Sequence, residues 1–398
     1  MYREAILYME LIYKERLTIM EHTIRSYIRQ NEALMLQTLK ELCAIPAPSG
    51  MEQKRAAYCK KWLEEKGADG VYIDSALNVI CPLNCEGSNE ITVFVAHTDT
   101  VFPDTEPMPY TDDGERIHCP GVGDDTASLA VLLMLAKYYV EHNITPDKGI
   151  LFVCNAGEEG LGNLKGTRQL FKDYAGRISQ FISLDTNLNV AHDDCAGSHR
   201  FEVEVLTEGG HSFQKFGAPN AIAELSRIVT QIYSIVLPEK EGVRTTYNVG
   251  NISGGTSVNT IAQSAKMLCE YRSEDKDCLA YMEEKFLSIF DAARSNSVDV
   301  NVKKIGDRPC SNIDESKIEN LRKIIRPIIE DVIHQPLQFK SASTDCNIPL
   351  SLGIPAICIG VYTGGGSHTR QEWVEKASLV PGLEIAIRVA DAVTQRGS

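Results

Sequence analysis

Five short segments carry the acids and histidines whose types and order suit metal-assisted hydrolysis. They are His97-Thr98-Asp99, Gly123-Asp124-Asp125, Gly157-Glu158-Glu159-Gly160, Asp185 and Gly366-Ser367-His368. Each alone has a plainer reading. A His-x-Asp pair is usually a local hydrogen bond, and two aspartates at a helix start are usually an N-cap with a favourable dipole. A Glu-Glu pair is usually a solvated loop, and a glycine run before a histidine is usually a turn. Together they offer imidazole and carboxylate ligands with no thiolate, a set that suits zinc. Two divalent ions about 3.5–4 Å apart need a bridging carboxylate, with one histidine and one further carboxylate for each ion. Asp124 fits the bridge, His97 and Asp185 complete one ion, and Glu159 and His368 complete the other. Asp99 then holds the His97 imidazole in its ligating tautomer. Glu158, left over beside a ligand, is suited to take a proton from water. The expected cofactor is two Zn2+ per subunit, with Co2+ or Mn2+ as substitutes.

The elements that must position these groups follow from periodicity. Residues 1–43 predict a helix, stopped by Pro46-Ala47-Pro48-Ser49-Gly50, and 52–66 predict another. Short apolar strands are predicted at 91–96, 149–155, 180–184 and 354–360. Helices are predicted at 126–141, 166–174, 315–333 and 382–394. Continuous apolar strands alternating with helices predict an α/β fold with a mostly parallel sheet covered by helices. Every acid or histidine cluster but Gly123-Asp124-Asp125 follows a strand, at the sheet edge where open parallel sheets place their sites; that one opens the helix predicted from 126. Between them, 200–206, 220–236, 244–252, 262–272, 276–293 and 298–303 read strand, helix, strand, strand, helix, strand, an inserted ferredoxin-like module. The expected division is 1–195 for the first part of a catalytic domain (1–35 being extra helix), 196–308 for the inserted module and 309–398 for the second part.

Composition narrows the function classes. With 398 residues the chain is long enough for two domains. Its net charge of −14 disfavours nucleic acid and anionic membranes as partners. The longest apolar run, 129–136, falls far short of a membrane span. The amino terminus is interrupted by charge too early for a signal-peptide core. The 12 cysteines are scattered, as expected of reduced cytoplasmic thiols.

In order along the chain, His97-Thr98-Asp99, Gly123-Asp124-Asp125, Gly157-Glu158-Glu159-Gly160-Leu161-Gly162 and Gly366-Ser367-His368-Thr369 resemble the motifs of the co-catalytic zinc peptidases and amidohydrolases. That family, family 20, includes peptidase T, the glutamate carboxypeptidases, succinyl-diaminopimelate desuccinylase and the aminoacylases. Ile45-Pro46-Ala47-Pro48-Ser49-Gly50 resembles its opening. The resemblance implies the ligand set above, a cis peptide between Asp124 and Asp125, and an inserted domain that serves as lid and dimerisation surface. Gly209-Gly210-His211-Ser212 resembles the segment whose histidine reaches the partner's active site in a homodimer. Gly254-Gly255-Thr256-Ser257-Val258-Asn259 and Arg272 resemble lid residues that contact substrate, with Gly366 beside the last ligand. The chain departs from the pattern at Ala262, often Pro, and at Glu270, often Asp. Asp185, where the deacylase and carboxypeptidase branches usually carry Glu, is similar to the di- and tripeptidase branch. The implied activity is zinc-dependent hydrolysis of an amide bond in a short peptide. An N-acyl amino acid substrate is the alternative, and a catalytically silent peptide-binding member is a reading from a different class.

Overall fold

The computed structural model describes the backbone of residues 2–394 and the side chains from residue 22 to 394. Hydrophobic sequence runs become the centre of an eight-stranded sheet. Its order is Tyr72–Ile73, Val79–Leu83, Gly149–Asn155, Ile91–His97, Ile178–Leu184, Ala356–Ile359, Val190–Cys195 and Gln338–Ala342. Gly149–Asn155, Ile91–His97, Ile178–Leu184 and Ala356–Ile359 pair in parallel, while Val79–Leu83 and Val190–Cys195 flank them in antiparallel pairing. Every residue of Ile91–His97 and of Gly149–Asn155 is buried, which is what a strand covered on both faces requires.

The helix Ser128–Glu141 covers the strands Ile91–His97 and Gly149–Asn155, and itself packs against Tyr2–Cys43 and Leu379–Thr394. From Tyr2–Cys43, the side chains Ile24, Ile28, Met35, Leu39 and Leu42 are buried, each worth roughly 1.5–3 kcal/mol of apolar transfer. Tyr27 stands edge-on to Tyr138, and its hydroxyl donates to the Met134 carbonyl at 2.7 Å. Gly382 allows the closest approach of the last helix, since a Cβ there would lie 1.7 Å from the Val361 carbonyl oxygen.

The expected helix over 126–141 needs correcting at its start. Regular helix begins at Ser128, and Val122–Ala127 is a distorted turn in which Asp124 (φ −104°, ψ 92°) and Asp125 (φ −125°, ψ 26°) leave helical geometry. The peptide between them is cis. A small antiparallel sheet unannounced by periodicity runs Gly364–Gly365, Trp373–Glu375, Arg116–His118 and Thr111–Asp112. It carries the loop of His368 to the edge of that distorted turn.

The chain divides into two compact units, Met1–Asp193 with Asp314–Lys340 and Ile354–Ser398, and Asp194–Ile313 with Ser341–Gly353. The second unit has its own four-stranded antiparallel sheet, in the order Thr245–Gly254, Ser264–Ser273, Gly197–Thr207, Val298–Arg308. Its helices, Ala221–Ile232 and Lys276–Ala292, are capped by Asn220 and Asp275, whose side chains accept from the first-turn amides. Buried and less buried residues alternate along Ser264–Ser273, so one face packs Phe201, Val203, Met267 and Tyr271 against Leu225, Ile228, Phe286 and Phe290. The connectivity strand-helix-strand-strand-helix-strand with this strand order is ferredoxin-like.

Candidate active site

His97 ends a buried strand, and its ring is fully enclosed. The His97 Nε2 atom lies 3.0 Å from Asp124 Oδ1 and 3.9 Å from Asp185 Oδ2. The other Asp124 oxygen lies 3.0 Å from His368 Nε2, which in turn is 3.3 Å from Glu159 Oε1. Asp124 therefore stands between the two histidines with one oxygen toward each. The ligand atoms of His97, Asp124 and Glu159 lie within 4.8 Å of one another, as do those of His97, Asp125 and Asp185.

Hydrogen bonds knit the supporting loops together. Thr98 donates from both its amide and its hydroxyl to the Asn155 carbonyl, at 2.7 and 2.8 Å, which joins the ends of two parallel strands. The Asp99 carboxylate accepts from the Glu158 amide on Oδ1 and from the Glu159 amide on Oδ2, both at 3.0 Å, and from the Ser49 hydroxyl at 2.6 Å. His97 Nδ1 lies 3.0 Å from the Asp99 carbonyl and 3.6 Å from its carboxylate, so the main chain of Asp99 makes the nearer contact to the imidazole. The Asp125 Oδ2 atom accepts from the His97 amide at 2.9 Å.

Three residues that the motif reading left out complete the frame. Arg55, fully buried, donates to the carbonyls of Leu42, Ile45 and Thr98 and to the Thr126 hydroxyl. Glu372 accepts from the amides of Gly121, Gly123 and Asp124 at 2.6, 2.9 and 2.8 Å. Ser49 is the third: its Pro-Ala-Pro-Ser-Gly setting reads as a helix stop and resembles the family's opening, but neither reading announces its bond to Asp99. Gly121 has φ +77°, and a Cβ there would meet Thr100 at 2.6 Å, so the turn into Asp124 requires glycine. The His368 side chain is 55% exposed and its backbone has φ +64°. Its loop is braced two residues on, where Arg370 forms a bidentate pair with Asp104 at 3.0 and 2.7 Å over the Phe102 ring.

Electrostatics fit a cation. Burial opposes charge on His97, but its bonds to Asp124 and Asp99 outweigh that and push its pKa well above the usual value. Asp124 and Glu159 push His368 up to about 10. Burial, then Asp125 and Asp124, pushes Asp185 well above the carboxylate range. Burial would raise Asp99 too, yet His97, Ser49 and the Glu159 amide hold it down at about 2. Burial pushes Glu372 up to about 7. Burial raises Asp125 and Glu159 as well, so the carboxyls crowded round Asp124 resist ionisation until a cation is bound. Glu159 Oε1 is buried at the cluster and outside hydrogen-bond alignment with His368. Imidazole and carboxylate donors in this arrangement fit a pair of divalent cations.

The residues expected in the inserted module lie in the second unit. His211 belongs to a two-stranded pairing of Gly210–His211 with Thr260–Ile261 and is exposed. The Ser212 amide donates to the Asn259 carbonyl at 3.0 Å, so His211 and Asn259 share one loop cluster. Arg272 lies apart from them on the sheet, paired with Glu270 at 2.9 and 3.1 Å, and Glu270 also takes Arg200 at 3.2 Å. Gly366, in the first unit, has φ +75° and its carbonyl accepts from Thr369 in the His368 turn.

Comparison with known proteins gives one family. Residues 93–392 match the profile of peptidase family M20/M25/M40. An uncharacterized protein, YqjE of Bacillus subtilis, is 24% identical over 91% of this chain and 98% of its own. An N-acetyldiaminopimelate deacetylase of Bacillus licheniformis is 25% identical over 38% of this chain and 42% of its own. Among solved structures, a Staphylococcus aureus tripeptidase superposes with a TM-score of 0.72 at 21% identity, covering 92% of this chain and 99% of its own. The Saccharomyces cerevisiae dipeptidase Dug1p superposes with a TM-score of 0.74 at 12% identity, covering 95% and 99%.

Proposed function

The chain belongs to peptidase family M20/M25/M40 and is a metal-dependent hydrolase of that family, and we propose that it cleaves the amide bond of a short peptide with two zinc ions held by His97, Asp124, Asp185, Glu159 and His368. The observation that carries the reading is the contact of one carboxylate, Asp124, with two imidazoles from opposite ends of the chain. When bound, the metals supply Lewis acidity toward the scissile carbonyl and an attacking water. Glu158, nearly buried and seated by the Asp99 carboxylate, takes the proton of that water and returns it to the leaving amine. His211 donates to the developing oxyanion as part of a homodimer, serving the partner subunit's active site. Asn259, Arg272 and Gly366 are assigned to substrate contact.

Asp185 in place of Glu favours di- or tripeptides, and the tripeptidase and dipeptidase folds above are in keeping with that. The N-acyl amino acid alternative is supported by the deacetylase relative. The test is a panel of di-, tri- and N-acylated peptides offered to metal-loaded protein. Turnover of free-amino peptides with none of acylated ones supports the first reading, and the reverse selects the second. No turnover by folded, metal-loaded protein favours a silent peptide-binding member.

A further inference from the structure

Glu372 has no assigned part in the reaction, yet it is among the most enclosed acids of the first unit, at 1% exposure. Both of its oxygens are occupied by main-chain donors. Oε2 accepts from the Gly121 amide, and Oε1 accepts from the Gly123 and Asp124 amides. Its own carbonyl accepts from the Cys119 amide at 3.2 Å. Gly123 leaves room for this approach, since a Cβ there would sit 3.1 Å from Glu372 Oε1 and 3.0 Å from Tyr362 Cε2. Four residues before Glu372 stands His368, and the Gly366–Thr369 turn bond fixes the short path between them. One side chain therefore grips the turn that presents Asp124 while its own segment presents His368.

We infer that Glu372 is a positioning residue for the bridging carboxylate: by gathering three amides of the 121–124 turn it sets the direction of the Asp124 side chain toward both histidines. The inference rests on the two-metal reading above. It is not a sixth ligand, because its oxygens are spent on the main chain. Gln at this position keeps one carbonyl acceptor but sets an amide N–H donor against a main-chain donor, so the turn loses at least one of its three bonds. Ala loses all three.

The experiment uses the full chain, stripped of metal, as wild type, Glu372→Gln and Glu372→Ala, with folding checked by circular dichroism. Each is titrated with Zn2+ against a chromophoric chelator and with Co2+ by absorption. The wild type should take two ions. Glu372→Gln should bind both about 10- to 100-fold more weakly, as losses of outer partners of a ligand do, with an altered Co2+ spectrum and a lower kcat at saturating metal. Glu372→Ala should lose more, or fail to fold, in which case Glu372→Gln decides. Wild-type affinity and an unchanged Co2+ spectrum in Glu372→Gln, whatever its melting temperature, would overturn the inference and leave a purely structural role. A wild type that takes no pair of ions overturns the two-metal reading itself, and this inference with it.

Discussion

The Oδ1 atom of Asp99 lies 3.0 Å from the amide nitrogen of Glu158, so the proposed proton carrier is seated by the acid two residues past the first histidine. Asp99 thus steadies the base loop as well as the imidazole. Asp99→Asn turns one of the two carboxylate oxygens into an N–H donor, so at least one of the Glu158 and Glu159 amides loses its acceptor, at a cost of about 1–3 kcal/mol in stability. We expect kcat to fall by roughly 10- to 100-fold. Urea denaturation together with steady-state kinetics checks both effects. A variant with full kcat would remove Asp99 from the seating of Glu158.

The adjacent glutamates separate by metal content. Glu158→Gln should lower kcat by roughly 10²–10⁴-fold while both ions stay bound, since loss of a general base leaves the ligands intact. Glu159→Gln should lower the metal-to-protein ratio. Elemental analysis of the two purified variants reads the difference, and the reverse pattern would exchange their roles.

Metal binding should release protons. In the metal-free site the neighbouring carboxylates raise both His97 and His368, His368 to about 10, so both imidazoles hold protons more tightly than a free histidine does. A ligating imidazole must be neutral, so loading the site displaces those protons. Calorimetric titration of chelator-stripped protein with Zn2+, repeated in buffers of different ionisation enthalpy, should report net proton release on loading. Hydrolysis should vanish on stripping and return with Zn2+, Co2+ or Mn2+. Full activity of metal-free protein would refute the assignment.

A second pH effect lies away from the site. Burial pushes Asp391 up to about 6, partly offset by the Tyr139 hydroxyl, which donates to it at 2.7 Å. The folded-state pKa exceeds the unfolded value, so the native state holds this proton more tightly. Stability from this group is therefore full below about pH 4 and declines as pH rises to about 6, then stays flat. Asp391→Asn should be nearly neutral at pH 4 and stabilise by up to about 3 kcal/mol above pH 7. Tyr139→Phe should destabilise most at neutral pH. Denaturation midpoints at pH 4.5, 6 and 8 test the trend, and a constant difference between Asp391→Asn and wild type across that range would contradict it.

Most acids and histidines of the cluster were legible because they follow an apolar run dense enough to be unmistakable, such as Ile91–His97 or Gly149–Asn155, while Asp124 opens an apolar helix instead. The parallel centre of the sheet and the ferredoxin-like order of the second unit follow from the same runs. Other strands were hidden by their chemistry. Val79–Leu83 contains Pro82, and Val190–Cys195 carries two aspartates and a histidine along an outer part of the sheet. Two- and three-residue strands such as Gly364–Gly365 and Trp373–Glu375 are too short to show a period. Arg55, Glu372 and the role of Ser49 were hidden for a deeper reason. Each acts through main-chain or long-range hydrogen bonds, and a residue's type does not announce which distant amide or carbonyl it will meet. The two-residue shift in the start of the Ser128–Glu141 helix has the same origin, since the Gly121, Gly123 and Asp124 amides bond to Glu372 rather than to a preceding carbonyl.

Arg55 links the end of the Tyr2–Cys43 helix to the loop of the first histidine, for the same guanidinium that takes the Leu42 and Ile45 carbonyls also takes that of Thr98. The two ends of this helix therefore tolerate alteration very differently. At 1.5 Å per residue its 42 residues extend roughly 60 Å, so a fused domain or affinity tag before Tyr2 is joined far along the chain from Arg55. Trimming that reached Leu42 would instead strip acceptors from a buried cation next to His97. In a series of amino-terminal deletions stability should hence start to fall once the buried side chains from Ile24 onward are removed, and the cut that frees this guanidinium should disturb the site itself.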